Sequence, residues 1–166
     1  MAPTYNGSLR VFLKGPGGRG RSQALLAFQR PDRLRIEIPG PTGLRLLAVV
    51  RDGRLVATFP SAGAVHEAPA SATSLDALLG VGLEVSELMD FMVGVASPRL
   101  RDFEVRWGST APAEVSARLP DGTKFRAKVN DVTLARDLPA AAFELPSSAG
   151  LRLVDVDEAR RLLVGR

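Results

Sequence analysis

A period of two is the feature that most restricts this chain. Leu9, Val11 and Leu13 alternate with Ser8, Arg10, Phe12 and Lys14, and Leu34, Ile36 and Ile38 alternate with Arg35 and Glu37. Leu55, Ala57 and Phe59 alternate with Arg54, Val56 and Thr58. Phe103, Val105 and Trp107 stand against Asp102, Glu104 and Arg106, and Phe125, Ala127 and Val129 against Lys124, Arg126 and Lys128. Successive strand side chains point to opposite faces, so these runs put one face in a core and the other in water, the habit of antiparallel sheets.

The connectors fit that reading. Arg51-Asp52-Gly53 and Pro120-Asp121-Gly122 are Asp-Gly turns between alternating runs, and Asp-Gly supplies the positive φ angles that tight hairpins need. Pro31-Asp32-Arg33 and Pro39-Gly40-Pro41-Thr42-Gly43 interrupt the pattern in the same way. The spacing predicts about nine or ten strands, most joined by short hairpins.

Only the middle and the end depart from it. Thr73 or Ser74 can cap a short helix through Leu75, Leu78 and Leu79, which Gly80 would stop. The stretch EVSELMDFMVG then puts Val85, Leu88, Met89 and Met92 on one stripe at helical spacing, ended by Gly94 and Pro98. A third helix is expected near the C-terminus, capped by Asp155 or Asp157 and apolar at Ala159, Leu162 and Leu163.

The glycine run FLKGPGGRGRS, residues 12–22, satisfies G-x-G-x-x-G at Gly15, Gly17 and Gly20 and approaches a P-loop with Arg21 in place of lysine. A dinucleotide fold needs a strand buried on both faces, then a helix, then a parallel strand. The strand before this run carries Arg10 and Lys14, the segment Ser22 to Arg30 has only nine residues before Pro31, and hairpins follow. Residues 15–21 are therefore expected to form a mobile hairpin loop. Arg19 and Arg21 have no helix N-terminus beside them to hold a phosphate.

Composition closes other routes. No cysteine is present, so there is no thiol nucleophile, disulfide or thiolate metal site. The single histidine, His66, reads as a core or exposed residue, and no serine sits in G-x-S-x-G. No catalytic residue, cofactor or metal site is expected. The net charge of +4 comes from 19 arginines and 3 lysines against 18 acids. The acids are interleaved with the arginines, most of the nine aromatics sit on apolar faces, and no nucleic-acid-binding motif appears, so nucleic acid is not the expected partner. No run is long and apolar enough to span a membrane, and no signal-like apolar segment follows Met1-Ala2-Pro3-Thr4.

What remains is a one-sided sheet and a helical insertion whose apolar stripe must be covered. If the sheet curls, its apolar face and that stripe enclose a space that is either packed solid or able to hold an acyl chain. Met89 and Met92 suit the second case, because flexible thioethers make adaptable apolar surfaces.

The segment FQRPDRLRIEIPGPTGLRLLAVVRDGRLVATFP, followed by LDALLGVGLEVSELMDFMVG, resembles the Lol lipoprotein-sorting superfamily, which includes the carrier LolA and the receptor LolB. The likeness lies in the order and spacing of the Arg30–Arg35 hairpin, the Gly43 and Asp52-Gly53 turns, the strand end at Pro60 and the two helices ending at Gly80 and Gly94. It spans about residues 5 to 145. The resemblance implies a mainly β, α+β single domain over residues 1–166, with a helical insertion at about 73–94. Its form would be an unclosed, curved antiparallel β-barrel of about nine to eleven strands with a short helical lid over an apolar cavity.

By the same resemblance the ligand is a lipid or lipoprotein acyl chain, lined by Leu26, Phe28, Ile36, Leu46, Phe59, Leu88, Met89 and Met92. The expected location is the periplasmic face of the outer membrane as a lipid-anchored monomer, although the signal and anchor cysteine of such proteins are absent from this sequence. Two departures stand out. Only seven residues precede Ser8, where family members carry a long helix, and the receptor's membrane-facing leucine loop corresponds here to Pro41, Thr42 and Gly43. The competing class is a structural or interaction lipoprotein with a filled interior and an arginine-rich face for an anionic partner.

Overall fold

The structure is a computed structural model that describes residues 4–16, 18–134 and 137–164; Met1–Pro3 and Gly17 of the glycine motif therefore lie outside it. Ten strands form one sheet: β1 (Thr4–Gly15), β2 (Gly18–Gln29), β3 (Arg33–Gly40), β4 (Gly43–Arg51), β5 (Arg54–Phe59), β6 (Ala64–Pro69), β7 (Arg101–Trp107), β8 (Pro112–Arg118), β9 (Lys124–Thr133) and β10 (Arg152–Leu153). Their order is β10-β6-β5-β4-β3-β2-β1-β9-β8-β7. The first six form a meander, and β7–β9 form a second one that joins on the free side of β1. The outermost strands, β10 and β7, do not pair with each other, so the half-barrel stays open. All pairings are antiparallel except β10 with β6, which is parallel.

The turns follow their residues. Asp52 and Gly53 have φ 52° and 73°, the two positive angles of the tight hairpin between Arg51 and Arg54. The second Asp-Gly pair closes differently. Gly122 N–H donates to Leu119 O at 2.9 Å, and the Asp121 carboxylate accepts from Thr123 N–H at 2.8 Å. The expected mobile loop at 15–21 is corrected. Gly15 pairs with Gly18, so Arg19, Gly20 and Arg21 belong to β2. No alternation marks that end of β2, but its partner β1 is also held by β9, and the ladder carries it.

Between β6 and β7, helices α1 (Ala72–Leu79) and α2 (Val85–Met92) cross the concave face from one edge of the sheet to the other. Ser71, not Thr73 or Ser74, caps α1: its hydroxyl accepts from Ser74 N–H at 3.2 Å. Glu84 and Glu87 form a reciprocal capping box on α2. Val85, Leu88, Met89, Phe91 and Met92 are the buried side of α2, each worth about 1.5–3 kcal/mol when fully removed from water. Phe91 stacks on Phe125 with centroids 4.8 Å apart and meets Phe103 edge-on at 6.1 Å, which seats α2 on the second meander.

Trp107 is not on the buried face that its alternation suggests. A register shift between Arg106 and Trp107 turns it outward and leaves it 61% exposed, lying over Gly94.

The one-sided reading also fails at β4 and β5. Val49 and Val56, on the outer face, are 0% and 1% exposed. A 3-10 turn at Ala140–Phe143 packs against β3 and β4 from outside, with Phe143 fully buried and Ala142 O accepting from Arg35 Nη1 at 3.1 Å. The chain then adds β10 beside β6 and turns back inside as α3 (Val156–Leu163), which packs on α1. Asp155 caps α3 through Glu158 N–H at 2.8 Å.

Candidate functional site

A cavity of about 410 Å³ lies between the concave face and the helices. The sheet contributes Leu9, Val11 and Leu13 from β1, Ala24 and Leu26 from β2, Ile36 and Ile38 from β3, and Phe125 from β9. The roof is Leu75 and Leu79 of α1, Val81, and Leu88 and Met92 of α2, and Leu163 and Val164 close the α3 end. Polar groups occur only at its rim: Arg19, Arg21 and Ser22 on β2, and Arg45, whose Nη1 donates to Leu163 O at 3.3 Å. The volume falls within the range of about 300–1,000 Å³ common to small-molecule sites. An interior of this kind offers shape and dispersion to an apolar ligand.

The structure divides the eight residues expected to line it. Leu26, Ile36, Leu88 and Met92 face the cavity. Phe28, Leu46, Phe59 and Met89 do not; each is at most 2% exposed in the packed core beside it. The division follows from where the space lies, over β1–β3 in the middle of the sheet, while α3 packs on the β4–β6 side. Val11, Leu13, Leu75 and Leu79 also line the cavity, and their alternation or helical spacing already marked them as inward. The α3 wall depends on the C-terminal segment rounding the sheet edge, for which the sequence carries no local signal.

Pro41 and Thr42 form the two-residue turn between β3 and β4, with Gly43 at φ 125°; all three are exposed. The strands run closer to this tip than Ile38 and Leu44, the ends that the sequence suggests, because Gly40 pairs with Gly43 across a bulge at Pro39. A shallow depression of about 240 Å³ adjoins the turn, with Phe59, Ala62 and Leu162 in its wall.

His66 is a structural residue. It is 9% exposed on β6, and its Nδ1 lies 3.0 Å from Val154 O. A carbonyl only accepts, so Nδ1 carries the proton and the ring fastens the segment after β10 to the sheet. Among the described residues no three His, Cys, Asp or Glu side chains are grouped to hold a metal ion.

Two polar clamps hold the lid. Arg30 Nη1 donates to Asp90 Oδ1 at 2.9 Å. Glu87 accepts from Arg99 Nη2, from Arg99 Nε at 3.1 Å and from the Ser97 hydroxyl. The Arg99 bonds foremost, with Ser97 and the Glu84 backbone, hold the Glu87 carboxyl down at about 2 against the opposing effect of burial. Burial pushes the Tyr5 phenol above its ordinary range; its ring stacks on Phe28 at 5.0 Å.

No protein-family model matches the chain, and no curated protein matches its sequence. Solved structures do match. A LolA superfamily protein from Nitrosomonas europaea superposes with a TM-score of 0.52 at 10% identity, over 86% of this chain and 90% of that one. An uncharacterized conserved protein from Thermus thermophilus gives a TM-score of 0.50 at 11% identity, over 93% and 91%. At such identities the likeness is one of fold. The chain has a Lol-like fold, an unclosed curved sheet with a helical lid.

Proposed function

We propose that this chain binds the acyl chain of a lipid or lipoprotein between the sheet and its helical lid, as a non-enzymatic binding or transport module of LolA/LolB type. The observation that carries the reading is the cavity itself. Its walls are apolar on the β1–β3 floor and the α1–α2 roof, and polar side chains enter only at the rim. Each methylene moved from water into such a space gains about 0.8 kcal/mol, so eight of them gain roughly 6 kcal/mol before the cost of association. The competing reading, a filled interior with function confined to the arginines, is less well supported by an interior that keeps about 410 Å³ open.

The Lol-like fold supports a place on the periplasmic face of the outer membrane, held there by a lipid anchor, with the domain acting as a monomer. Native mass spectrometry of protein purified from cells, joined to titration with a fluorescent fatty acid, tests the proposal. Co-purifying lipid and saturable binding at micromolar protein are expected. Absence of both would leave the interior without a ligand and return the function to the outer face.

A further inference from the structure

The C-terminal segment packs on the outer face of the sheet over β3 and β4, and Val56 and Val65 are buried on the same face of β5 and β6. On the uncovered half, pairing sets Arg19, Lys14, Lys124, Arg118 and Arg101 directly opposite one another, one from each of β2, β1, β9, β8 and β7. At the usual strand spacing this row is about 20 Å long. Like charges placed opposite each other across strands destabilise a sheet, so folding supplies no reason for the row. Among the described residues only Arg118 of the five is in an ion pair, its Nε lying 3.3 Å from Asp102 Oδ2. In the next row Arg21 and Arg126 flank Phe12, and the Arg126 guanidinium lies 4.2 Å from the centre of that ring. Apart from Arg101, these residues line an open groove of about 810 Å³, in which Asp102 and Glu104 are the only acids among the described residues.

The groove and the apolar cavity lie on the two faces of the same stretch of sheet. Leu13, Arg19, Gly20, Arg21 and Phe125 line both. Gly20 opposes Leu13 on the inner face, and a Cβ built there would meet nothing within 4 Å. β2 offers no side chain at that point, and its Gly18–Ala24 end runs past the last pair with β3 at Leu25–Glu37, so that edge of β2 is free between the cavity on one face and the cationic row on the other. Arg19 and Arg21 have no helix N-terminus to help them hold a phosphate; the fold supplies Lys14 and Lys124 beside them instead.

We propose that the ligand is an anionic amphiphile, its acyl chain in the cavity and its phosphate-bearing headgroup in the groove at Arg19, Arg21, Lys14 and Lys124. This rests on the acyl-chain reading above and adds the class of headgroup. Guanidinium groups match phosphate oxygens in pairs, and the ammonium groups add charge without demanding one orientation.

Isothermal titration calorimetry of the full chain, below the critical micelle concentration of each ligand, tests it with lysophosphatidic acid, a monoacylglycerol of equal chain length, and glycerol 3-phosphate. At low salt the lysophosphatidic acid binds about tenfold tighter than the monoacylglycerol, the size of one net charge-assisted hydrogen bond. That advantage shrinks as salt rises. Glycerol 3-phosphate, lacking the chain, gives no measurable heat. In the double variant Arg19→Gln, Arg21→Gln, shown folded by circular dichroism, the ratio of the two lipid affinities falls towards one. Equal affinities for both lipids in the wild type would overturn the headgroup assignment while leaving the acyl-chain reading intact. Binding of neither lipid would overturn both, and glycerol 3-phosphate binding as tightly as the lysolipid would replace the amphiphile with a soluble phosphate.

Discussion

Arg30 Nη1 donates to Asp90 Oδ1 at 2.9 Å, so the residue that ends the β2 hairpin holds the last turn of α2 over the cavity. The guanidinium also lies 5.9 Å from the Phe28 ring centre, and its Nε and Nη2 are buried without a protein partner. Asp90 is therefore its one carboxylate among the described residues. Asp90→Ala should lower stability by about 1 kcal/mol, more than a freely solvated surface pair would lose. Urea unfolding measures it, and hydrogen exchange should quicken in α2 before it quickens in β1. A midpoint equal to that of the wild type would make the pair incidental to the lid.

The two methionines separate packing from binding. Met92 lines the cavity, whereas Met89 is 0% exposed and does not. Met92→Trp should fill the space and abolish fatty-acid binding with little change in the unfolding midpoint. Met89→Trp should instead overpack the core and destabilise by about 1–3 kcal/mol. If the Met92 variant still bound the probe at wild-type affinity, the acyl chain would not lie between α2 and the sheet.

Glu87 gives the lid a pH dependence. Its carboxyl is held at about 2 in the folded chain, against an ordinary 4.5, by Arg99 foremost, Ser97 and the Glu84 backbone. A depressed folded value means that the unfolded chain takes up the proton first as the pH falls. The contribution of Glu87 is therefore complete above about pH 4.5 and is lost progressively towards about pH 2. Urea midpoints measured between pH 5 and pH 3, within that window, should fall less steeply for Glu87→Gln than for the wild type. Parallel curves would show that other carboxylates govern the acid limb.

Much of this fold could be read in the chain because alternation is a local signal. Leu9 to Leu13 and Phe125 to Val129 faced inward as their period required, and Asp52-Gly53 made the turn that its residues favour. The exceptions lie where something distant decides the environment. Val49 and Val56 are buried on the supposed solvent face because Phe143 and its neighbours cross over the sheet. Their apolar character beside Val50 and Leu55 is the trace that strands covered on both faces leave. Which apolar residues line a cavity and which pack solid was not legible. Leu26 and Phe28 carry the same signal on the same face, and only the position of the helices above them separates the two.

The turn Pro41-Thr42 bears on whether this domain touches a bilayer by itself. Gly43 at φ 125° and the Gly40–Gly43 pair hold the tip out, with Pro41 and Thr42 exposed. Insertion is driven by apolar area at roughly 25 cal/mol per Å². A threonine offers a fraction of what a leucine would, and its hydroxyl loses hydrogen bonds to water on entering lipid. Phe59 and Leu162 lie beside the turn in a recess rather than on a protrusion, so they add little that can insert. The domain should therefore sediment weakly with neutral liposomes. Any binding to anionic liposomes should come from the cationic outer face and fade as salt rises. Thr42→Leu should increase salt-resistant liposome binding severalfold without changing affinity for the fluorescent fatty acid, because Thr42 lies outside the acyl cavity. If the wild-type protein already sediments with neutral liposomes in high salt, another apolar surface does the inserting, and exposed Trp107 is the first to replace.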